Sequence, residues 1–199
     1  MSTSAPARDE FLARFAGHAS GLLREFNQAG VLAAADVHVA RRLGALASED
    51  DEAVLLAVAL AVRAPRLGHV LVDLASIRDT AAVDAEEPVD LSALAWPEAL
   101  DWVARVTASP LVGAEDPTGA ESLRDAAARP LRRYESHLYL DRYWAEGGAV
   151  AWSFGAISAQ PAPGVDEARL QDGLERLFGD ESNDRQAQAA AAAVHRRLA

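Results

Sequence analysis

One segment constrains what the rest of this chain can fold into. From Ala53 to Val62 every residue is Ala, Val or Leu, bracketed by Glu52 and Arg63. Wound as a helix, it has no polar face. A helix apolar all round belongs at the centre of a bundle, where other elements cover it from every side. It is the longest apolar run in the chain and is about half of the ~20 residues a membrane span needs, so the protein's own fold must shield it. Ser48, Glu49, Asp50 and Asp51 precede it and offer an N-cap with acidic first-turn residues. Pro65 and the Leu67-Gly68 pair end it.

The covering elements are legible by periodicity. A helix is predicted from Arg8 to Gln28, with Phe11, Phe15, Leu22, Leu23 and Phe26 on one side and Gly30 as a stop. A second runs from Ala33 to Leu46 with Val37, Val39, Ala40 and Leu43 inward. His69 to Leu74 reads equally as a short strand or a helix entry. Trp96-Pro97-Glu98 opens another helix, with Pro97 at its first position and Leu100, Trp102, Val103 and Ala104 inward. It ends at Ser109 to Gly113. Segments 79–90 and 114–128 read as polar loops.

The texture changes after Pro130. Leu131 to Tyr134 and His137 to Asp141 alternate around Glu135-Ser136, which predicts a β-hairpin over 130–141, although Glu-Ser is not the preferred turn pair. A helix from Arg142 to Ser158 follows, weakened by Gly147 and Gly148 at about 1 kcal/mol each relative to alanine. Residues 160–165 form a linker. Val165 to Phe178 is a short amphipathic helix with Leu170, Leu174, Leu177 and Phe178 on one side. An alanine-rich helix closes the chain. The fold class is α+β, mainly α: a helical bundle around a central apolar helix with one small β-hairpin.

Composition excludes several functions. The net charge is -11 over 199 residues, which disfavours an independent nucleic-acid binder, since such a protein must neutralise phosphates. There is no cysteine, hence no disulfide, zinc-thiolate site or cysteine nucleophile. There is also no lysine, so the chain cannot supply the Walker A lysine that reaches the β- and γ-phosphates or a Schiff-base amine. The N-terminus turns acidic at once and lacks an apolar signal core, which predicts a cytoplasmic protein with no membrane association.

Three segments carry a resemblance. His137-Leu-Tyr-Leu-Asp-Arg-Tyr-Trp144 resembles a leucine-tyrosine-leucine-x-arginine-x-tryptophan segment of RecD, the alpha subunit of exodeoxyribonuclease V. Gly68 to Leu74 resembles that family's glycine-histidine-valine segment, which also follows an Ala/Leu-rich helix. Gln186 to Ala199 resembles the stretch immediately before the family's P-loop. The three fall in the family's order. The resemblance implies a subunit of the RecBCD helicase-nuclease, which processes double-strand breaks for recombinational repair. There RecD is an ATP-driven 5′ to 3′ helicase whose N-terminal domain docks onto the gamma subunit, RecC, and through it onto the beta subunit. On this reading residues 1–181 are a docking domain and 182–199 the first helix of a truncated P-loop motor domain. ATP and Mg²⁺ are implied for the full-length protein and no cofactor for this chain, and DNA is met only through the full complex. Gly147-Gly148 and the loop 114–128 depart from the family pattern.

The candidate site residues each have a bland alternative. Gln186 carries a primary amide that can donate to N7 and accept from the N6 amine of adenine, and the resemblance implies an adenine contact in the full-length protein. Locally, Asn183 and Gln186 have the spacing of a capping box. Arg196 and Arg197 could meet a phosphate, or simply complement a helix C-terminus. The histidines at 18, 38, 69, 137 and 195 do not pair at helical spacing, so no metal site is expected. His69 with Asp73, and His137 with Ser136 and Asp141, could be drawn as a hydrolase triad, but no nucleophile-elbow pattern accompanies them, and no catalytic residue is assigned. Tyr139, Tyr143, Trp144 and Trp152 could stack bases; packing or interface contact suits an acidic chain better. The rival to a docking module is a stand-alone small enzyme or ligand-binding protein, which would need a deep pocket with converging polar groups.

Overall fold

The computed structural model describes residues 15–83, 90–114, 129–161, 164–179 and 185–198. The chain divides into two compact units, Met1–Ala145 and Glu146–Ala199.

The first unit is built around helix α3 (Glu52–Arg63), as its sequence demands. Ala53, Val54 and the whole run from Leu56 to Ala61 are buried, along with Arg63. Its N-cap is Asp51, whose carboxylate accepts from the N–H groups of Ala53 and Val54, satisfying two otherwise orphaned donors. Helices α1 (Gly21–Gln28), α2 (Ala34–Ala47) and α5 (Ala99–Ala108) pack on α3, and strands β1 (Leu71–Asp73) and β4 (His137–Leu140) cover it as well. A one-turn helix, α4 (Ile77–Thr80), follows β1. Gly44 lets α2 come close: a Cβ there would lie 2.6 Å from a Leu55 methyl and 2.8 Å from the Glu49 carbonyl oxygen. Trp102 on α5 is 1% exposed and donates its indole N–H to the Ala53 carbonyl at 2.7 Å, which satisfies the one polar atom of a large buried ring.

The expected hairpin is present, with β3 (Leu131–Tyr134) paired to β4 around Glu135 and Ser136. Glu135 takes the left-handed backbone, φ 52°, which an ill-suited turn pair needs to close tightly. The hairpin is the middle of a larger sheet of order β1-β4-β3-β2, in which β2 (Val112–Ala114) runs parallel to β3 and the other pairs are antiparallel. Residues 71–73 are thus a strand. The sequence predicts only a helix end over 109–113 and a loop from 114; three residues carry too little alternation to announce a strand, and their pairing is long-range.

Other expectations need correction. The helix predicted from Arg8 starts, within the described residues, only at Gly21; Phe11 lies outside them. The chain folds back before α1, so that buried Ala16 donates its N–H to the Asn27 amide oxygen at 2.9 Å, while the Asn27 amide nitrogen donates to the Leu32 carbonyl at 2.8 Å. A straight helix would carry Ala16 away from that amide. Gly21 sits at φ 52°, and a Cβ there would collide with the Glu52 carboxylate, which accepts the Leu22 N–H. Pro97 is not the first helical residue of α5, because the Glu98 carboxylate caps the helix by accepting from the Asp101 N–H at 3.0 Å. The inward face of α5 is Trp102 and Val106, leaving Leu100 82% exposed and Ala104 exposed. Val39 also points outward, since the buried positions of α2 are Asp36, Val37, Ala40 and Gly44.

Asp36 is the costly group in this core. It is fully buried; it accepts the Ala33 N–H at 2.8 Å and pairs with Arg66, and its second oxygen has no hydrogen-bond partner. Arg63 is buried nearby and donates to the Ala82 carbonyl. Burial lowers its pKa, the Asp36 charge opposes that, and Arg66 adds to it.

The second unit holds the remainder of α6 (Asp141–Ser158) together with α7 (Glu167–Phe178) and α8 (Arg185–His195). Asp166 caps α7, and α7 packs on α8. His195 Nε2 lies 3.5 Å from a Glu167 carboxylate oxygen, and Arg197 donates to the Pro161 carbonyl at 3.2 Å. No helix of the described residues is long and apolar enough to cross a membrane.

Truncating α3 tests whether it organises the first unit. Leu56→Ala should lower unfolding free energy by about 2–5 kcal/mol in urea denaturation, whereas Leu100→Ala should change it by less than about 0.5 kcal/mol.

Candidate interaction surface

Among the described residues, exposed large apolar side chains gather on two helices, in different ways, while Leu100, Leu177 and Val194 stand singly on α5, α7 and α8. On α2, Ala35, Val39, Arg42 and Leu46 recur at a spacing that aligns them along one side, opposite the face buried against α3. Val39 is 41% and Leu46 66% exposed. This is a single stripe with a guanidinium in its middle. On α6, every residue from Ala149 to Ser158 is exposed, including Val150, Trp152, Phe154 and Ile157. Trp152 is the most open of these at 75%.

Among the described residues, polar side chains line open grooves. An open groove of about 270 Å³ in the first unit includes Arg41, Glu49, Asp50 and Glu52. Three of these charged groups are occupied with the fold: Arg41 donates to the His18 carbonyl at 2.6 Å, Glu49 accepts the Ser109 hydroxyl at 2.7 Å, and Glu52 accepts the Leu22 N–H at 3.3 Å. A second open groove, of about 310 Å³, lies in the other unit beside Asp166, Arg169, Leu170 and Val194.

The residues drawn as a triad meet only in part. Asp73 on β1 stands opposite His137 on β4. Its carboxylate accepts from the Ser76 hydroxyl at 2.7 Å, the Ala75 N–H at 3.0 Å and the Ser136 side chain. A hydrolase needs serine on histidine and histidine on aspartate; here both serines bond the carboxylate directly. The knot joins the turn after β1 to the hairpin turn, where the Leu74 N–H also meets the Ser136 carbonyl at 3.0 Å. Partial burial raises the Asp73 pKa, but the bonds from Ser136, Ser76 and Ala75 and the neighbouring His137 outweigh it, leaving the pKa below its ordinary 3.8. Among the described residues no group of histidine and carboxylate side chains could hold a metal.

The other sequence candidates are dispersed. Gln186 lies on the first turn of α8 and is exposed; Asn183, its suggested capping partner, lies outside the described residues. Of the aromatic group, Tyr139 and Trp144 meet edge-on with ring centroids 5.1 Å apart, while the Arg142 guanidinium sits 5.8 Å from the centre of the Tyr143 ring. Sequence reading missed the aromatic layer that matters to the core, Phe26 against Trp96 at 4.5 Å and Trp96 against Trp102 at 6.4 Å. Its members are far apart in sequence, and no periodicity within one element links them.

Comparison with known proteins settles the family. The family model for the N-terminal domain of the RecBCD enzyme subunit RecD matches residues 28–139. The RecBCD enzyme subunit RecD of Mycobacterium tuberculosis (strain CDC 1551 / Oshkosh) is 48% identical over 159 residues, 78% of this chain and 24% of that protein. The RecBCD enzyme subunit RecD of Mycolicibacterium smegmatis is 42% identical over 152 residues, 76% of this chain and 23% of its own length. The chain belongs to the RecD N-terminal domain family. It spans about a quarter of the length of these curated relatives. The match to the RecD domain runs from the end of α1 to β4 and so takes in the α2 stripe and the Asp73 knot, both in the first unit.

The knot gives a pH test. With its pKa depressed in the fold, Asp73 contributes stability that is complete above the unfolded-state value and is lost as pH falls through the folded one. Asp73→Asn should therefore cost about 1–3 kcal/mol near neutral pH, by a constant amount. That difference from the parent should shrink as urea midpoints are taken below about pH 4.

Proposed function

We propose that this chain is the docking module of a RecD-type alpha subunit of exodeoxyribonuclease V, and that it carries no catalytic activity itself. The subunit would be an ATP-dependent 5′ to 3′ DNA helicase acting in double-strand-break repair by recombination. The module would anchor it to the gamma subunit and, through that, to the beta subunit, in the cytoplasm. What carries the reading is the α2 stripe, an exposed apolar row on the outer face of a helix whose other face is fixed to the core of the family-matched body. A helix with one apolar face exposed and the other buried is suited to lying in a groove of another protein, and Arg42 adds a directional contact at its middle.

The chemistry of the chain supports a division of labour. Without lysine it has no Walker A group, so ATP and Mg²⁺ would be held by polypeptide other than this. Gln186 would reach the adenine only in the longer protein. With a net charge of -11 the module repels phosphate, so DNA would be met only through the assembled complex.

Association measured with purified gamma subunit is the test. The 199-residue chain should bind it, and Leu46→Glu or Val39→Glu should weaken binding by about tenfold or more with an unchanged circular dichroism spectrum. Unaltered affinity in both variants would remove α2 from the interface. The chain should not hydrolyse ATP; clear turnover by the purified chain would overturn the docking-module reading.

A further inference from the structure

The exposed part of α6 differs in kind from the α2 stripe. No charged residue occurs between Glu146 and Asp166. At 100° per residue, Val150, Phe154 and Ile157 line one side of α6. Trp152 lies on the opposite side, one turn from Gly148 and from Gly155. A docking helix is apolar on one face; a helix apolar on both faces is an internal helix. It also lacks the basic polar face that an interfacial membrane helix uses.

The glycines carry the same message. Gly147, Gly148 and Gly155 each weaken a helix, and around Gly147 and Gly155 nothing stands within 4 Å of where a Cβ would be. Among the described residues nothing packs closely enough to call for glycine at those two positions. Glycine suits a helix surface where another backbone approaches closely.

We propose that the segment Ala149–Ser158 of α6 is an interior helix of the full-length subunit, enclosed by polypeptide that lies beyond this chain. This rests on the reading of the chain as part of a longer RecD-type subunit. The chain corresponds to 24% of the M. tuberculosis relative, so about three quarters of such a protein is free to provide the enclosure. A covalently joined segment meets α6 at a high effective concentration that a separate subunit or a second copy lacks. Enclosure from both sides is what one fold gives its own central helix, as the first unit gives α3. Trp152 would fill a pocket, with Gly148 and Gly155 admitting backbone on either side of it.

Amide hydrogen exchange followed by mass spectrometry tests this on unaltered proteins. In the 199-residue chain the amides of 149–158 should exchange as an open helix. In a subunit extended past Ala199 through its motor region, with no other subunit present, they should slow by about 100-fold or more. Gly155→Leu should reverse that protection by at least about tenfold in the extended subunit. Protection that arises only on adding the gamma subunit would overturn the proposal in favour of docking between subunits. Protection that grows with the concentration of the short chain would overturn it in favour of self-association, and open exchange in every sample would overturn it outright. ATP hydrolysis and gamma-subunit binding are measured on the same extended preparation. If both are present while 149–158 stays open, only the enclosure fails; if both are absent, the RecD-type reading fails with it.

Discussion

The free energy of keeping α3 out of water governs the first unit. A helix with no polar face cannot rest on one neighbour, so it needs cover from several directions at once. Here α1, α2 and α5 supply helical cover and β1 and β4 supply sheet. The small sheet follows from the same need: Val72 and Leu138, facing the core from the strands against α3, are 4% and 0% exposed. The sheet sets two of the segments that carry the resemblance side by side, because Leu71, Val72 and Asp73 pair with Tyr139, Leu138 and His137. Segments that are remote in sequence and look unrelated are therefore one structural feature, fastened at its end by Asp73.

Electrostatics fit the same geometry. The short turn between α2 and α3 sets them antiparallel, so the start of α2 lies by the end of α3. The positive end of one helix dipole then neighbours the negative end of the other. Asp36 in the first turn of α2 and Arg63 in the last turn of α3 each carry the sign that suits their own helix end. They also suit each other, which offsets part of the cost of burying both. Arg66, half exposed, lets the pair keep a link to water. The cluster is better understood as fixing where α2 and α3 meet than as a source of net stability, since buried ion pairs often only break even.

How much was legible depended on how local the cause was. The central helix, the hairpin and α2 could be read because apolar runs, period and turn residues lie within each segment. What escaped was decided by partners distant in sequence. β2 is a strand only because β3 lies beside it, and α1 starts late because Asn27 and Glu52 hold the incoming chain in another direction. Leu100 and Val39 were misplaced by taking every apolar residue of a helix as inward, when the buried face was fixed by Trp102 and Val37. The candidate surface shows the same limit. Sequence alone implies a docking domain without locating its surface; the α2 stripe is visible only once α3 has claimed the other side of the helix. The aromatic group before and within α6 is legible because it lies within one stretch of chain, whereas the Phe26, Trp96 and Trp102 layer is assembled from three separate segments.

α3 and α6 can then be compared directly. Both are poor in charge and apolar on opposite faces. α3 is enclosed by the elements around it, while residues 149–158 of α6 are open to solvent. Composition alone would place both in a core. Exposure of a helix that lacks any polar face is an incomplete solution to the same physical problem that α3 solves within the first unit, and the unexplained glycines on α6 point the same way. α2 poses no such problem, because its buried face already anchors it and its outer stripe is small enough to tolerate water. The difference separates a surface that can wait for a partner from one that calls for enclosure within a single fold.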